Sequence, residues 1–295
     1  MIKITNNIEE ANLITHASKF HPDDVFATSF LSLLYPNSIV YRASKIDKEY
    51  KDKIIYDIGF GKYDHHQADA KWRNNKIKYS SFGLLWQEFG LDYLKEKTEY
   101  YQEVFNNIDQ KLVCQIDGID NGNFYTIESD YYLLDLDKII DLYNFEWDSD
   151  EDNNTNFIKA VNMATEILNN LIKREIAEVK AFKIVSKKLE SLDSNILYLE
   201  KHMPYIDAIF SNNYSSKIDA VIFPSNRGGY NIKPLTISKE SKELKVNFPQ
   251  EWLGLHDQEL SKKSGIKTAN FIHSTGFIAA TETLSDAYLL ASKLK

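Results

Sequence analysis

Apolar and polar positions along the first sixty residues form blocks that predict strands and helices in alternation. Residues 11–17 (ANLITHA) are a short apolar run that ends in a polar turn, and residues 25–34 (VFATSFLSLL) follow with helical periodicity. Residues 38–43 (SIVYRA) and 53–58 (KIIYDI) are rich in residues that favour strands. Strands that alternate with helices indicate an α/β fold with a parallel sheet.

A helical pattern takes over after these strands. Residues 80–96 and 98–115 have helical spacing, and the first of these helices begins with Ser80 and Ser81, which are good N-cap residues. A long helix is predicted from 157 to about 192, because apolar residues recur at helical spacing there and no Gly or Pro interrupts them.

The segment 142–156 contains the acidic, polar stretch WDSDEDNNTN, which has no apolar rhythm and is typical of a linker. We therefore expect a catalytic domain with a parallel sheet at 1–150, followed at 151–295 by the linker helix and a smaller α+β domain. The second part mixes strand-like and helix-like runs: strands at 195–199, 220–223, 230–237 and 268–272, and helices at 257–263 and 284–294.

Composition narrows the cellular setting. The 295 residues, 43% apolar, suffice for two domains, and no apolar stretch is as long as a membrane helix. The first ten residues have no signal-peptide pattern, so we expect a soluble, cytoplasmic protein. Because Cys114 is the single cysteine, the chain can form neither an internal disulfide nor a thiolate metal site. Any metal must therefore bind to nitrogen and oxygen ligands.

Charge narrows the range of partners. The formal net charge of −8 argues against a broad basic surface for long duplex nucleic acid, which requires many Lys and Arg contacts to phosphate. A nucleotide or a short nucleic acid remains a suitable substrate, and no membrane partner is expected. The sequence leaves the oligomeric state open, with a homodimer among the alternatives.

Histidines cluster with carboxylates near the start of the chain, where four of the seven lie within the first 66 residues. His16 closes the first predicted strand, and Asp57 closes another. In an open parallel sheet, ligands bind beyond the carboxyl ends of the strands, so groups that follow these two strands can converge. These groups are His21, Asp23 and Asp24 after the first strand, and Asp64, His65 and His66 after the other.

Imidazole and carboxylate together suit Mn²⁺, Zn²⁺ or Fe²⁺, and carboxylates that bridge suit two ions about 3.5–4 Å apart. Hydrolysis is the chemistry that such ion pairs usually serve. A single His–Asp pair is more often an ordinary surface or cap contact, but two groups at successive strand ends favour a shared metal site.

Further candidates are weaker when each is considered alone. Asp117 and Asp120 lie in DGIDNG, which reads as a turn. Ser80 and Ser81 could hold a phosphate at a helix N-terminus or act as a plain N-cap. For substrate contacts in the second part, Arg offers paired donors to phosphate and Gly allows close backbone approach. The candidates there are Arg227, Gly228, Gly229 and His273.

Motifs also follow one another in a fixed order along the whole chain. The N-terminal ones are His16-x4-His21-Pro22-Asp23-Asp24-Val25, Asp57-Ile58-Gly59, Tyr63-Asp64-His65-His66-Gln67, Ser80-Ser81-x-Gly83-Leu84 and Ile116-Asp117-Gly118-Ile119-Asp120-Asn121-Gly122. The C-terminal ones are Trp252-x-Gly254-Leu255-x3-Glu259-Leu260, Ser264-Gly265-Ile266 and Phe271-Ile272-His273-Ser274-x-Gly276-Phe277-Ile278. This series resembles the MYG1 family, formerly labelled metal-dependent protein hydrolases, which is itself similar to the DHH phosphoesterases.

The resemblance implies a DHH-like metal-binding domain and assigns roles to its residues. His16, His21 and Asp23 correspond to the first ligand motif, Asp57 to a bridging ligand and His65 to a further ligand. Asp117 or Asp120 supplies the last one, and spacing does not decide between them. His66 becomes the substrate contact, and Asp24 and Asp64 complete the catalytic group. His21 stands where the wider superfamily more often has Asp. Arg42 remains from a reduced arginine patch as a candidate substrate contact.

The resemblance also implies the activity. We expect two divalent ions, Mn²⁺ first and Mg²⁺ as the alternative, and a phosphodiesterase or 3′–5′ exonuclease that acts on nucleotides or short RNA or DNA. The alternatives are hydrolysis of a phosphomonoester, pyrophosphate or amide bond, or a nucleotide-binding module without turnover.

Overall fold

The structure is a computed structural model in which residues 2–123, 128–149 and 152–295 are described. The chain divides into two units, Met1–Ile176 and Ala177–Lys295. Of the helices within the described ranges, none combines the length and the apolar character that crossing a membrane requires.

A four-stranded sheet organises the first unit. Its strands are β1 (Lys3–Ile4), β2 (Leu13–His16), β3 (Ile39–Ala43) and β4 (Ile54–Ile55). They lie in the order β1-β3-β2-β4, and every pairing is parallel. The predicted parallel sheet is confirmed. Since parallel strands end at the same edge, the residues that follow β2 and β4 are brought to one side of the sheet.

Helices of the first unit pack through aromatic side chains. The helices are α1 (Pro22–Leu34), α2 (Ser81–Lys95), α3 (Tyr101–Ile108), α4 (Cys114–Asp120) and α5 (Leu136–Asp141). Phe30 of α1 contacts Phe82 and Trp86 of α2, and all three side chains are fully buried. The Trp86 ring also stacks on Phe105 of α3 with 5.4 Å between centroids. These large buried rings fix α2 against its neighbours.

One predicted helix differs from the observed structure. The sequence predicts a single helix at 98–115, whereas the chain forms α3, then a π-helical turn at Asp109–Val113, and then α4. A π-helical turn adds a residue to the helical repeat and so redirects the face of the helix that follows. Apolar periodicity does not reveal such a turn, because the buried face continues on both sides of it.

A single helix, α6 (Asn153–Glu190), runs from one unit into the other. The sequence predicts this helix but places the domain boundary near 150. The structure divides the chain after Ile176, inside α6, because the first turns of this helix belong to the first unit. Phe157, Val161 and Leu168 are buried in this early part of the helix.

The second unit contains a mixed five-stranded sheet. Its strands are β5 (Ile196–Tyr198), β6 (Ala220–Pro224), β7 (Tyr230–Pro234), β8 (Ala269–Ile272) and β9 (Ala279–Thr281), and its shorter helices are α7 (Ile206–Ser211), α8 (Asp257–Ser264) and α9 (Leu284–Ala291). The order is β5-β6-β7-β9-β8, in which β5 and β6 are parallel and the other pairs are antiparallel.

Side chains alternate between the two faces of this second sheet. Ile222 and Ile232 point to one face and share a core with Leu260 of α8 and Leu290 of α9. Phe223, the next residue after Ile222 on β6, points to the opposite face and belongs to a second core cluster. That second cluster draws on α6, β5, α7 and β6, with members such as Leu189, Leu197, Ile209 and Val221.

Candidate metal centre

The candidate histidine and aspartate residues of the first unit converge beyond the carboxyl ends of its strands. His16 is the last residue of β2, His21 is the N-cap of α1, and Asp57 follows β4. They line a cavity of about 640 Å³ together with His65, His66 and Asp120. The convergence expected from the strand ends is therefore present within this unit.

Asp57 lies between two imidazoles. Its Oδ2 is 3.2 Å from His16 Nε2, and its Oδ1 is 3.1 Å from His65 Nε2. The backbone of Asp57 has φ 56°, in the left-handed region that Asp and Asn adopt more readily than other side chains. Burial is nearly complete, with 5% of the residue exposed. One carboxylate thus presents each of its oxygens to a different histidine.

Three further carboxylates surround this arrangement. Asp24 Oδ2 lies 3.2 Å from His16 Nε2, whereas Asp120 Oδ2 lies 3.1 Å and Asp23 Oδ2 lies 3.8 Å from His65 Nε2. His21 groups with Asp23 and Asp120, and the ligand atoms of these three lie within 4.8 Å of one another. The sequence assigned Asp24 to catalysis, but its carboxylate is fully buried beside His16.

Hydrogen bonds orient the imidazole rings of His16 and His65. His16 Nδ1 lies 2.9 Å from the carbonyl oxygen of Ala17, which can only accept, so Nδ1 carries the proton. His65 Nδ1 lies 3.3 Å from Oδ1 of Asn121, whose amide nitrogen donates to Lys78 O and Asp117 O. In the neutral form of either ring, Nε2 is therefore the lone-pair atom, and it faces carboxylates. This is the orientation a metal-binding histidine requires.

Asn121→Ala is expected to weaken divalent-metal binding about 10–100-fold, the usual effect of removing a group that orients a metal-binding histidine. The ring of His65 would lose the acceptor that fixes its tautomer. Calorimetric titration with Mn²⁺ measures this change. The exposed Asn106 of α3 provides the matched control, and equal affinities in Asn106→Ala and Asn121→Ala would contradict the orienting role.

Several buried ligand atoms of the cluster lie close to one another without forming hydrogen bonds. Among the described residues, four buried atoms of this cluster have no hydrogen-bond partner: His16 Nε2, Asp23 Oδ1, Asp24 Oδ2 and Asp120 Oδ2. Within the same described ranges, no Lys or Arg forms an ion pair with Asp23, Asp24, Asp57 or Asp120. Buried carboxylates without counter-charge are strongly unfavourable. A donor set of this composition fits divalent cations.

The pKa values of the cluster reflect the same excess of negative charge. Burial raises the pKa of Asp23 well above its usual value, and the charges of Asp57, Asp120 and Asp24 raise it further. Burial opposes charge on Asp57, but His16 and His65 outweigh it and hold its pKa at about 2. For His16, burial is likewise outweighed by Asp24 and Asp57, which raise its pKa to about 11. In the metal-free cluster, protons on histidine compensate the carboxylates.

The start of α2 holds two of these carboxylates. Ser81 Oγ donates to Asp23 Oδ2 at 2.8 Å, and Ser80 donates to Asp117 Oδ1 from both its hydroxyl at 2.7 Å and its backbone N–H at 3.0 Å. Both serines are fully buried. The donors that the sequence offered to a phosphate are thus engaged by Asp23 and Asp117. Their position favours a structural role.

Asp117 and Asp120 have different surroundings, which the sequence could not distinguish. Arg73 Nε donates to Asp117 Oδ2 at 2.6 Å, and the same guanidinium makes two hydrogen bonds to Asp109. Asp120, one helical turn later, points to His65 instead. Because Asp117 already has a counter-charge, the geometry favours Asp120 as the ligand. A Cβ at position 83 would collide with the Asp117 carboxylate, which explains Gly83.

His66 differs from its neighbour His65. The side chain of His66 is 56% exposed, and its Nδ1 lies 2.6 Å from Asp64 Oδ1. Asp64 is itself fixed by the backbone N–H groups of Phe60 and His66. The hydrogen bond to Asp64 is the main cause that raises the pKa of His66. With Nδ1 engaged, Nε2 is the atom of His66 that is free to meet a substrate.

Other sequence candidates are placed elsewhere. Arg42 is largely buried, hydrogen-bonds to the carbonyl oxygens of His16 and Ser18, and stacks on Phe157, so its donors are used inside the unit. In the second unit, Arg227 and Gly228 line a separate cavity. That cavity's lining does not include Gly229, where a Cβ would collide with the carbonyl oxygen of Thr281, or the exposed His273.

Three residues that line the cavity are not among the site residues predicted from the sequence. Lys78, Asn121 and Asp137 line the cavity of the first unit, and the side chain of Asn121 also orients His65. Asn121 lies inside a recognised motif, so that motif was the signal that could have identified it. Lys78 and Asp137 carry no comparable local signal, because each is an ordinary polar residue in its own segment.

Comparison with known proteins gives the family. Residues 12–294 match the family model MYG1_exonuc, described as "Uncharacterised protein family (UPF0160)". The chain belongs to the MYG1 family. The family resemblance of the motifs is thereby confirmed, and the match covers both units.

Relatives with this family name resemble the chain over nearly its whole length. A MYG1 protein of Dictyostelium discoideum is 28% identical and covers 97% of this chain and 97% of its own length. A MYG1 protein of Saccharomyces cerevisiae is 24% identical over 98% of the chain and 97% of its own length. The MYG1 exonuclease of Homo sapiens is 25% identical over 94% of the chain and 84% of its own length. No solved structure gives a significant match.

Proposed function

We propose that this chain is a divalent-metal-dependent phosphodiesterase that shortens short RNA or DNA strands from the 3′ end. The observation that carries the proposal is the set of buried, unpartnered ligand atoms arranged around Asp57. The mammalian relatives named MYG1 exonuclease support the choice of reaction. The 3′ polarity rests on the resemblance to DHH phosphoesterases.

Two groups of residues would hold the ions. His16, Asp24 and Asp57 form one. The other centres on His65, whose Nε2 lies near Asp57, Asp120 and Asp23, so that Asp57 is common to both. His21 groups with Asp23 and Asp120 and adds an imidazole to this second set, whereas His66, which also groups with Asp57 and His65, is already hydrogen-bonded to Asp64. Bound there, two Mn²⁺ or Mg²⁺ ions would supply Lewis-acid activation of water and stabilisation of the charge that develops on phosphate oxygens. Without the ions, the carboxylates that line this cavity, Asp57, Asp120 and Asp137, repel an anionic substrate.

His66 and Asp64 would manage a proton beside the ligands. Asp64 accepts the hydrogen bond from His66 Nδ1, which leaves a proton on Nε2 when the ring is charged. An exposed imidazolium at this point can donate that proton to the leaving-group oxygen. Asp64 then acts by holding the ring in one orientation and stabilising its charge, since both Asp64 oxygens are already hydrogen-bonded.

Lys78→Ala is expected to raise KM for a short oligonucleotide about 10-fold while metal content stays unchanged. Apart from histidines, Lys78 is the one basic residue that lines the cavity within the described ranges. Its ammonium group can therefore contact a substrate phosphate. Its side chain forms no ion pair with the proposed metal ligands within the described residues, so its loss should not disturb them. Steady-state kinetics with elemental analysis measure both quantities. The exposed Lys76 of the same loop is the control, and unchanged KM in Lys78→Ala would remove this contact.

The function is tested with chain that has been stripped of metal and reloaded. After Mn²⁺ loading, elemental analysis should find about two ions per chain. End-labelled RNA and DNA oligonucleotides should be shortened from the 3′ end by loaded chain and not by chelated chain. Pyrophosphate and p-nitrophenyl phosphate serve as comparison substrates. Hydrolysis of either of these with intact oligonucleotides would contradict the proposal, as would an absence of bound metal after loading.

A further inference from the structure

Two core clusters, one on each face, pack helices against the five-stranded sheet of the second unit. On one face these helices cover only part of the sheet. On this face, Phe223 of β6 is paired with Asn231 of β7, Asn231 with Ala280 of β9, and Ala280 with Phe271 of β8. These four side chains form a row across four strands. Phe223 belongs to the cluster that includes α6 and α7, and all four residues of the row line a cavity of about 580 Å³.

An irregularity in β8 adds a second amide to this cavity. The pairing of β8 with β9 shifts between Ala269 and Phe271, so Asn270 is the extra residue of a β-bulge. A bulge re-aims side chains locally, and here both Asn270 and Phe271 line the cavity. The floor therefore combines an aromatic ring with the amides of Asn270 and Asn231.

Basic side chains surround this floor. Arg227 comes from the turn between β6 and β7, Lys233 follows Asn231 on the same face of β7, and His202 packs its ring against Phe223 at 4.5 Å between centroids. No carboxylate lines the cavity within the described part of the chain. In a chain of net charge −8, this is a local excess of positive charge.

We infer that this cavity binds a nucleoside monophosphate, with the phosphate at Arg227 and Lys233 and the base against Phe271. A phosphate alone would not need a cavity of about 580 Å³, whereas an apolar ligand would not need basic groups and amides. The amides of Asn231 and Asn270 offer the paired donors and acceptors that the edge of a base requires. An aromatic face can stack on any base.

This inference rests on the proposed function only for the choice of a nucleotide over other organic phosphates. The site itself lies wholly within the second unit, and its residues hold none of the proposed metal ligands. Binding can therefore be measured without turnover. In a chelating buffer, the carboxylates around Asp57 repel a phosphate, so affinity measured there reports on the second unit.

The test is calorimetric titration of the full chain in EDTA with adenosine 5′-monophosphate, uridine 5′-monophosphate, adenosine and orthophosphate. The two monophosphates should bind, and adenosine and orthophosphate should each bind at least about 10-fold more weakly. Arg227→Ala and Lys233→Ala should each weaken monophosphate binding about 10-fold or more. Asp57→Asn should leave it unchanged.

The matched control is Arg174→Ala, which removes an exposed arginine of α6 outside the cavity. No binding by the wild-type chain, equal affinity in Arg227→Ala and Arg174→Ala, or loss of binding in Asp57→Asn would each overturn the inference. Orthophosphate that binds as tightly as the monophosphates would overturn the assignment of a nucleotide. Binding without any oligonucleotide hydrolysis would refute the proposed function and leave this site intact.

Discussion

Asp57→Asn is expected to lower metal-dependent hydrolysis roughly 10³-fold or more while the chain stays folded. Asp57 places one oxygen 3.2 Å from His16 and the other 3.1 Å from His65, so it is the carboxylate common to both groups of ligands. An asparagine has the same shape but no negative charge to hold two cations together. It also tolerates the left-handed backbone at φ 56°.

Three measurements make this prediction specific: turnover on a labelled oligonucleotide, bound Mn²⁺ by elemental analysis, and the thermal unfolding temperature. Asp52→Asn, on an exposed residue before β4, removes the same charge outside the cluster and should behave as wild type. A folded Asp57→Asn variant that turns over at the wild-type rate would exclude the bridging role.

The convergence of the site could be predicted because it depends on chain topology. His16 and Asp57 each follow an apolar run that is too short for a helix, and parallel strands end at a common edge. Local pattern and topology point to the same place, so the clustering around His65 was predictable from sequence. Which of these side chains could hold an ion together was not, because that depends on side-chain geometry.

Roles that depend on a hydrogen-bond partner far away in sequence could not be read in advance. Asp117 and Asp120 sit three residues apart in one turn of helix, and only the contact of Arg73 with Asp117 separates them. Ser80 and Ser81 have the sequence of a phosphate-binding helix start, yet their hydroxyls bind buried carboxylates. In each case the same local sequence is compatible with a ligand-binding role and with a structural role. The hydrogen-bond partner, which lies far away in sequence, determines which role the residue has.

Short elements of the fold were also beyond the sequence pattern. The strands β1 and β9 contain two and three residues, and the helices α5 and α7 contain six each. Periodicity needs more residues than this to be recognised. These elements are instead held by their neighbours, as β9 is by β7 and β8 on its two sides.

The adjacent histidines His65 and His66 are expected to respond differently to replacement by alanine. His65 is buried, with Nε2 3.1 Å from both Asp57 and Asp120, so its loss should lower bound metal and turnover together. His66 is mostly exposed, and its Nδ1 is held by Asp64. Its loss should leave the metal content nearly intact and lower the rate roughly 10²–10⁴-fold, the range for one positioned acid or electrostatic contact.

Bound Mn²⁺ and single-turnover rates, measured side by side in the two variants, separate these roles. His256→Ala provides the control, because this histidine is exposed in the second unit and pairs with Asp257 alone among the described acidic residues. Asp64→Asn gives an independent check: by weakening the hold on His66 Nδ1, it should lower the rate and spare the metal, as His66→Ala does. Equal metal loss in His65→Ala and His66→Ala, or greater loss in His66→Ala, would show that His66 is a ligand and would remove its role as proton donor.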